Sequence, residues 1–174
     1  MKAKLLAAVV ALQSAWVLAT VVIQERELQS GTPVLLTTRP VDPRDLLRGD
    51  YLILRYGIGE IPFSQFRPPL TTNLPAHRTL FVALKQVGEF HEVDFASTDP
   101  IDLPGTPVLR GKPDETWRLP GTGTNRLQYV HYGIERYYVR EGAGNPRGAL
   151  TAKVVVSRSG RGLIRQVFVD GRPL

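Results

Sequence analysis

A mainly β domain carried on one N-terminal transmembrane helix is the architecture this chain predicts, and three observations predict it. Residues 5–23 form an apolar run broken only by Gln13, Ser14 and Thr20. Beyond that run no stretch sustains a helical period. Short segments rich in β-branched and aromatic residues alternate there with clusters of Pro and Gly. That pattern describes an antiparallel sheet closed or folded on itself, a small barrel or a sandwich-like domain. The 174 residues suit one such domain plus an anchor.

As a helix rising about 1.5 Å per residue, the apolar run spans roughly 28 Å, close to the thickness of a bilayer hydrocarbon core. A cleaved signal peptide would have a shorter apolar core ending in small residues. Here the run ends in Val21-Val22-Ile23-Gln24-Glu25, so an uncleaved anchor is expected. Lys2 and Lys4 precede it, while Glu25, Arg26 and Glu27 follow. The positive-inside bias therefore puts residues 1–4 in the cytoplasm and the remainder outside, on a single-pass cell (inner) membrane protein. Ala7, Ala11, Ala15 and Ala19 recur every four residues and form a ridge of small side chains that lets a second helix approach closely. Gln13 sits at mid-membrane, where an amide is costly without a hydrogen-bond partner. Both features point to an integral membrane partner in addition to the lipid bilayer.

Residues 24–32 are expected as a linker and 33–174 as the extracytoplasmic β domain. Residues 33–38 are apolar enough for a first strand. In the segment 41–50, Asp42 suits an N-cap, Pro43 and Asp45 the first helical turn, and Gly49 its end, so one short helical turn is expected. Tyr51-Leu52-Ile53-Leu54-Arg55-Tyr56-Gly57-Ile58 reads as a strand with Leu52, Leu54, Tyr56 and Ile58 on one face. Pro62, Pro68, Pro69 and Pro75 predict an exposed loop. Residues 79–87 and 90–96 form a hairpin around Gly88-Glu89, followed by a proline-marked loop and a short strand at 108–111. Residues 126–132 and 134–140 are extended, with Gly133 between them as a bulge. Residues 150–157 and 163–170 make a terminal hairpin.

Charge and composition exclude several functions. The 22 Lys and Arg against 16 Asp and Glu give +6, or about +4 without the two leading lysines, and the excess is spread along the chain. No clustered basic motif of the nucleic-acid-binding kind is present, so no nucleic acid is expected. The absence of cysteine removes disulfides, a thiolate nucleophile and Cys-based zinc sites. His77, His91 and His131 are too scattered to suggest a metal site, and no cofactor is implied.

The six tyrosines fall in two groups, Tyr51 and Tyr56, then Tyr129, Tyr132, Tyr137 and Tyr138. Gly49-Asp50-Tyr51-Leu52-Ile53-Leu54-Arg55-Tyr56 resembles the pattern that names the GDYXXLXY family of bacterial membrane-anchored proteins, at all five specified positions. Residues 132–144 resemble that family's second hallmark, a Tyr-Gly-Ile-Glu-x-Tyr-Phe/Tyr-Val-Pro-Glu-Gly-x-Gly segment, with Arg140 in place of the proline. The resemblance runs from about residue 31 to the end. It brings no established activity, but it implies a companion, since such proteins are often encoded beside or fused to multi-spanning membrane proteins.

The two tyrosine-bearing segments are expected to pair side by side. Asp50, Tyr51, Arg55, Glu135, Arg136 and Tyr137 are the candidates for a shared ligand- or partner-binding site, because Tyr and Arg combine contact area with directed hydrogen bonds. The competing expectation is structural, with Tyr56 and Tyr138 filling the core and Glu135 paired with an arginine. A membrane-surface enzyme is the alternative class. Its most plausible form is a signal-peptidase-like hydrolase, with Lys85 as base and Ser30 or Ser64 as nucleophile. Neither serine lies in that family's Ser-Met-x-Pro setting, and Lys85 is followed by Gln86 rather than arginine. No catalytic constellation is convincing, and a binding or accessory subunit is the expected role.

Overall fold

The computed structural model of the chain describes residues 2–40, 51–114, 126–139 and 148–174. Helix α1 (Lys2–Ser30) contains a segment, Lys4–Glu27, long and apolar enough to cross a membrane, whose apolar stretch is nowhere buried against the rest of the chain. A helix apolar on all sides needs lipid or another helix around it. The stretch expected as a linker continues this helix as far as Ser30, and only Gly31 separates it from strand β1 (Thr32–Pro40). A side chain at Gly31 would run into Val155 and the carbonyl of Val156, so the helix end sits directly on the sheet.

Two antiparallel sheets follow. The first has the order β11-β10-β9-β1-β2-β8, using β1, β2 (Tyr51–Tyr56), β8 (Arg136–Tyr138), β9 (Leu150–Val156), β10 (Gly162–Val169) and β11 (Arg172–Pro173). The second has the order β3-β7-β6-β4-β5, using β3 (Glu60–Pro62), β4 (Leu80–Val87), β5 (Phe90–Ser97), β6 (Val108–Pro113) and β7 (Leu127–His131). Their inner faces meet in one core, with Val34, Leu36, Leu54, Val154 and Val167 from the first sheet and Leu80, Val82, Leu109 and Val130 from the second. The result is the curled antiparallel architecture that the sequence predicts.

The strand expected at 51–58 ends at Tyr56, where Gly57–Gly59 form a 3-10 turn, but its faces are as expected: Leu52, Leu54 and Tyr56, and Ile58 in the turn, are buried while Arg55 is exposed. The hairpin of β4 and β5 turns at Gly88, whose φ of +61 supplies the left-handed step such a turn requires. The terminal hairpin forms as β9 and β10. Two expectations need correction. The proline-rich section is not wholly exposed, because Phe63 and Phe66 turn inward and are buried, and the N–H of Leu74 is held by Gln128 Oε1 at 2.9 Å. Gly133 is not a bulge. With φ +81 it turns the chain out of the second sheet, where β7 ends, and into the first, where β8 begins. The helical turn expected at 41–50 and the segment around Arg140 lie outside the described residues.

Candidate functional site

Both tyrosine-bearing segments change sheets, and they do so side by side. β2 belongs to the first sheet and leads through a 3-10 turn, Gly57–Gly59, to β3 in the second. β7 belongs to the second and leads through residues 132–135 to β8 in the first. β2 pairs with β8 through Tyr51 opposite Tyr138, Leu52 opposite Tyr137 and Ile53 opposite Arg136. β3 pairs with β7 through Glu60 opposite Tyr129. The expected pairing of the two segments is therefore present, and it forms a corner at which one sheet becomes the other.

Two tyrosines fasten this corner reciprocally. Tyr56 donates its hydroxyl to the carbonyl of Ile134 at 2.8 Å, and Tyr132 donates its own to the carbonyl of Ile58 at 2.6 Å. Each segment thus supplies one side chain to the other's backbone, at carbonyls that no ladder bond could satisfy where the strands leave their sheets. Burial pushes both hydroxyls far above the ordinary tyrosine range, with the Glu135 carboxylate adding to the effect, so both stay protonated donors. The N–H of Leu54 donates to the carbonyl of Glu135 at 2.8 Å, and the Glu135 side chain accepts the N–H of Tyr132 at 2.6 Å.

A cleft of about 80 Å³ opens beside the corner, lined by Arg55, Glu60, Asp114, Tyr129, His131 and Glu135. His131 Nε2 lies 2.9 Å from Asp114 Oδ2 and its Nδ1 lies 3.6 Å from Glu135 Oε1. The imidazole hydrogen-bonds Asp114, whereas 3.6 Å to Glu135 is too long for a second bond. It bridges the end of β6 to the corner.

The sequence candidates divide accordingly. Arg55 and Glu135 share the cleft. Arg136 and Tyr137 lie round the corner on β8, Arg136 exposed and Tyr137 half-buried against the core, and both line a neighbouring groove. Tyr51 pairs through its backbone, and Asp50 lies outside the described residues. Tyr138, expected in the core, is 75% exposed. Asp114, Glu60, Tyr129 and His131 were not among the candidates. Their adjacency comes from strand pairing across 17 residues between Asp114 and His131, a separation that sequence spacing does not reveal. Lys85, the candidate base, is half exposed on β4 with Nζ 3.6 Å from Asp94 Oδ1, and Ser30 and Ser64 are exposed.

On α1, Ala7, Ala11, Ala15, Ala19 and Gln13 are all exposed. At about 100° per residue, Gln13 points to the side opposite Ala11 and Ala15. The ridge and the amide therefore cannot serve the same neighbouring helix. Thr20 satisfies its own hydroxyl at the carbonyl of Val17, at 2.7 Å, whereas Gln13 has no hydrogen-bond partner among the described residues.

An apolar N-terminal helix joined through Gly31 to a two-sheet β domain, with a corner fastened by paired tyrosines, defines a candidate single-span membrane protein whose β domain carries a cleft. The family model for GDYXXLXY proteins matches residues 13–167, and the chain belongs to that family. No curated protein and no solved structure matches it.

Proposed function

We propose that this protein is a membrane-anchored accessory subunit, holding its β domain on the extracytoplasmic side of the cell membrane and binding a multi-spanning membrane protein through α1. One observation carries the reading. α1 passes into β1 across a single residue, Gly31, so any protein that grips the helix also fixes the position of the domain. The ridge at Ala7, Ala11, Ala15 and Ala19 suits close helix packing. The unpartnered amide of Gln13 offers a second contact on the opposite side, as expected of a helix wedged between two others. The lysines at positions 2 and 4 support a cytoplasmic N-terminus.

Co-purification from gently solubilised membranes, followed by mass spectrometry, tests this reading. Replacing Ala11 and Ala15 by Leu should release a multi-spanning partner that the parent chain retains. A parent chain that brings no membrane protein with it defeats the proposal. The hydrolase alternative is disfavoured by the solvated, carboxylate-paired setting of Lys85, since a lysine base needs burial to lower its pKa. Lys85→Ala, Ser30→Ala and Ser64→Ala should leave cellular function intact. Complete loss from Lys85→Ala and one serine variant, both folded, would favour the enzyme.

A further inference from the structure

Two adjoining cavities, of about 550 and 610 Å³, share Tyr132, Gly133 and Arg161 at the corner, and the first is also lined by His131 and Glu135. Their common floor at Gly133 is bare backbone, and nothing lies within 4 Å of where a side chain would project. Three cations line the first cavity, against one carboxylate, Glu135. Arg110 and Lys112 are both exposed and alternate about Gly111 on β6, which places them on one face. Arg161, also exposed, comes from the turn between β9 and β10.

That turn is fixed against β6. The N–H of Arg110 donates to the carbonyl of Gly160 at 2.7 Å, and a side chain at Gly160 would strike the aliphatic stem of Arg110. A backbone contact thus brings Arg161 up to Arg110, whose guanidinium also lies over the Phe81 ring. Among the described residues neither Lys112 nor Arg161 has a carboxylate partner, and the carboxylates nearest the groove, Asp114 and Glu135, are engaged by His131 and the N–H of Tyr132. Converging like charges destabilise a fold unless an anion joins them.

Their position identifies the anion. Arg161 precedes Gly162, which pairs with Val156, which in turn pairs with Thr32, two residues past the end of α1. Arg161 therefore lies about two strand spacings, ~10 Å, from the helix exit. The apolar run ends at Ile23. The seven residues from there to Ser30 add about 10 Å of helix, enough to cross one headgroup layer.

We propose that this groove binds a phosphate-bearing headgroup, with Arg110, Lys112 and Arg161 on the phosphate and the remainder of the headgroup extended over Gly133 between β8 and β10. Guanidinium and ammonium groups favour phosphate oxygens through charge-assisted hydrogen bonds. The same chemistry could be met by free phosphates, and only the lipid source rests on the anchored reading given above.

The test uses the full chain. In neutral detergent, inorganic pyrophosphate is titrated by calorimetry. In nanodiscs of phosphatidylcholine with or without phosphatidylglycerol, an environment-sensitive dye reports from Ser159→Cys, which is a unique thiol because the chain has no cysteine. Saturable pyrophosphate binding, or a dye response specific to phosphatidylglycerol, is expected. Lys112→Gln with Arg161→Gln should weaken it at least about tenfold. The exposed pair Lys153→Gln with Arg172→Gln should leave it unchanged, and thermal melts identify any variant that has lost its fold. Response in both systems or in either one supports the groove, and which system responds assigns the source. No response in either, or equal binding by the Lys112/Arg161 variant, overturns it. Carbonate extraction reads anchoring separately, so a chain that washes off the membrane yet binds pyrophosphate loses the anchor and keeps the groove.

Discussion

Removing one hydroxyl from the corner should cost far more than a typical surface change. Tyr56→Phe deletes the 2.8 Å bond to the carbonyl of Ile134, and Tyr132→Phe the 2.6 Å bond to that of Ile58. Tyr56 is 5% exposed and Ile134 3%, while Tyr132 is 8% and Ile58 4%, so water cannot reach the orphaned carbonyls. An unsatisfied buried acceptor costs about 1–3 kcal/mol. For a domain of this size that lowers the melting temperature by roughly 3–10 °C per variant. Because the two bonds tie the same pair of segments, loss of one loosens the other. The double variant should then fall short of the summed losses by at least about 0.5 kcal/mol. Urea unfolding of the detergent-solubilised chain, followed by circular dichroism, measures all three. An alkaline titration adds an independent readout. Tyrosines of the unfolded chain ionise near pH 10 and the buried pair do not, so stability is complete below that pH and falls above it. Each Phe variant should lose part of that dependence. Single variants within about 0.3 kcal/mol of the parent, or strictly additive losses, would refute the reciprocal fastening.

Three further outcomes follow from individual side chains. Burial lowers the pKa of His91 below 6.5, and its Nδ1 faces the N–H of Leu35 at 3.3 Å. The unfolded chain therefore takes up a proton first as the solution is acidified. The contribution of His91 to stability is complete above pH 6.5 and declines below it, and His91→Gln should flatten that decline in denaturant titrations at pH 5 to 7. Gly111→Ala should destabilise the domain by about 1–3 kcal/mol in the same assay, because the added methyl overlaps Val130 and meets the carbonyl of His131 at 3.0 Å. A parent-like Gly111→Ala would mean that β6 and β7 pack less closely than described. The mature protein should keep its first residues and resist carbonate extraction, and N-terminal sequencing that begins near Gln24 would contradict the anchor.

Much of the domain was legible because its signals are local. Alternation in 51–58 fixes which side chains face inward, and Gly88 in a two-residue turn fixes the hairpin of β4 and β5. What escaped depends on the path between elements. A glycine of positive φ serves a bulge and a change of sheet equally well, so Gly133 carried no sign of which it was. Phe63 and Phe66 sit among prolines that announce a loop, yet a loop packed against a core can still bury its apolar side chains. The groove left one faint signal in the alternation Arg110-Gly111-Lys112, which sets two cations on one face of a strand. The third cation, Arg161, reaches them only through the backbone contact of the 157–161 turn with β6.

The corner also explains two positions of the family pattern in this chain. Its fixed leucine, Leu54, is fully buried and gives its N–H to the carbonyl of Glu135, and its last tyrosine, Tyr56, gives its hydroxyl to the carbonyl of Ile134. The answering segment folds back on itself, because Gly133 lets Tyr132 and Ile134 both point inward while Glu135 accepts the N–H of Tyr132. Every one of these groups is engaged in closing one sheet onto the other, and a group held in a buried hydrogen bond is not available to a ligand without the loss of that bond. Among the described residues, Lys112 and Arg161 in the groove and the side chains along two faces of α1 are not tied up in this way. Substitutions at Leu54 and Tyr56 should therefore act on folding and those in the groove on binding, with Leu54→Ala lowering stability and Lys112→Gln leaving it unchanged.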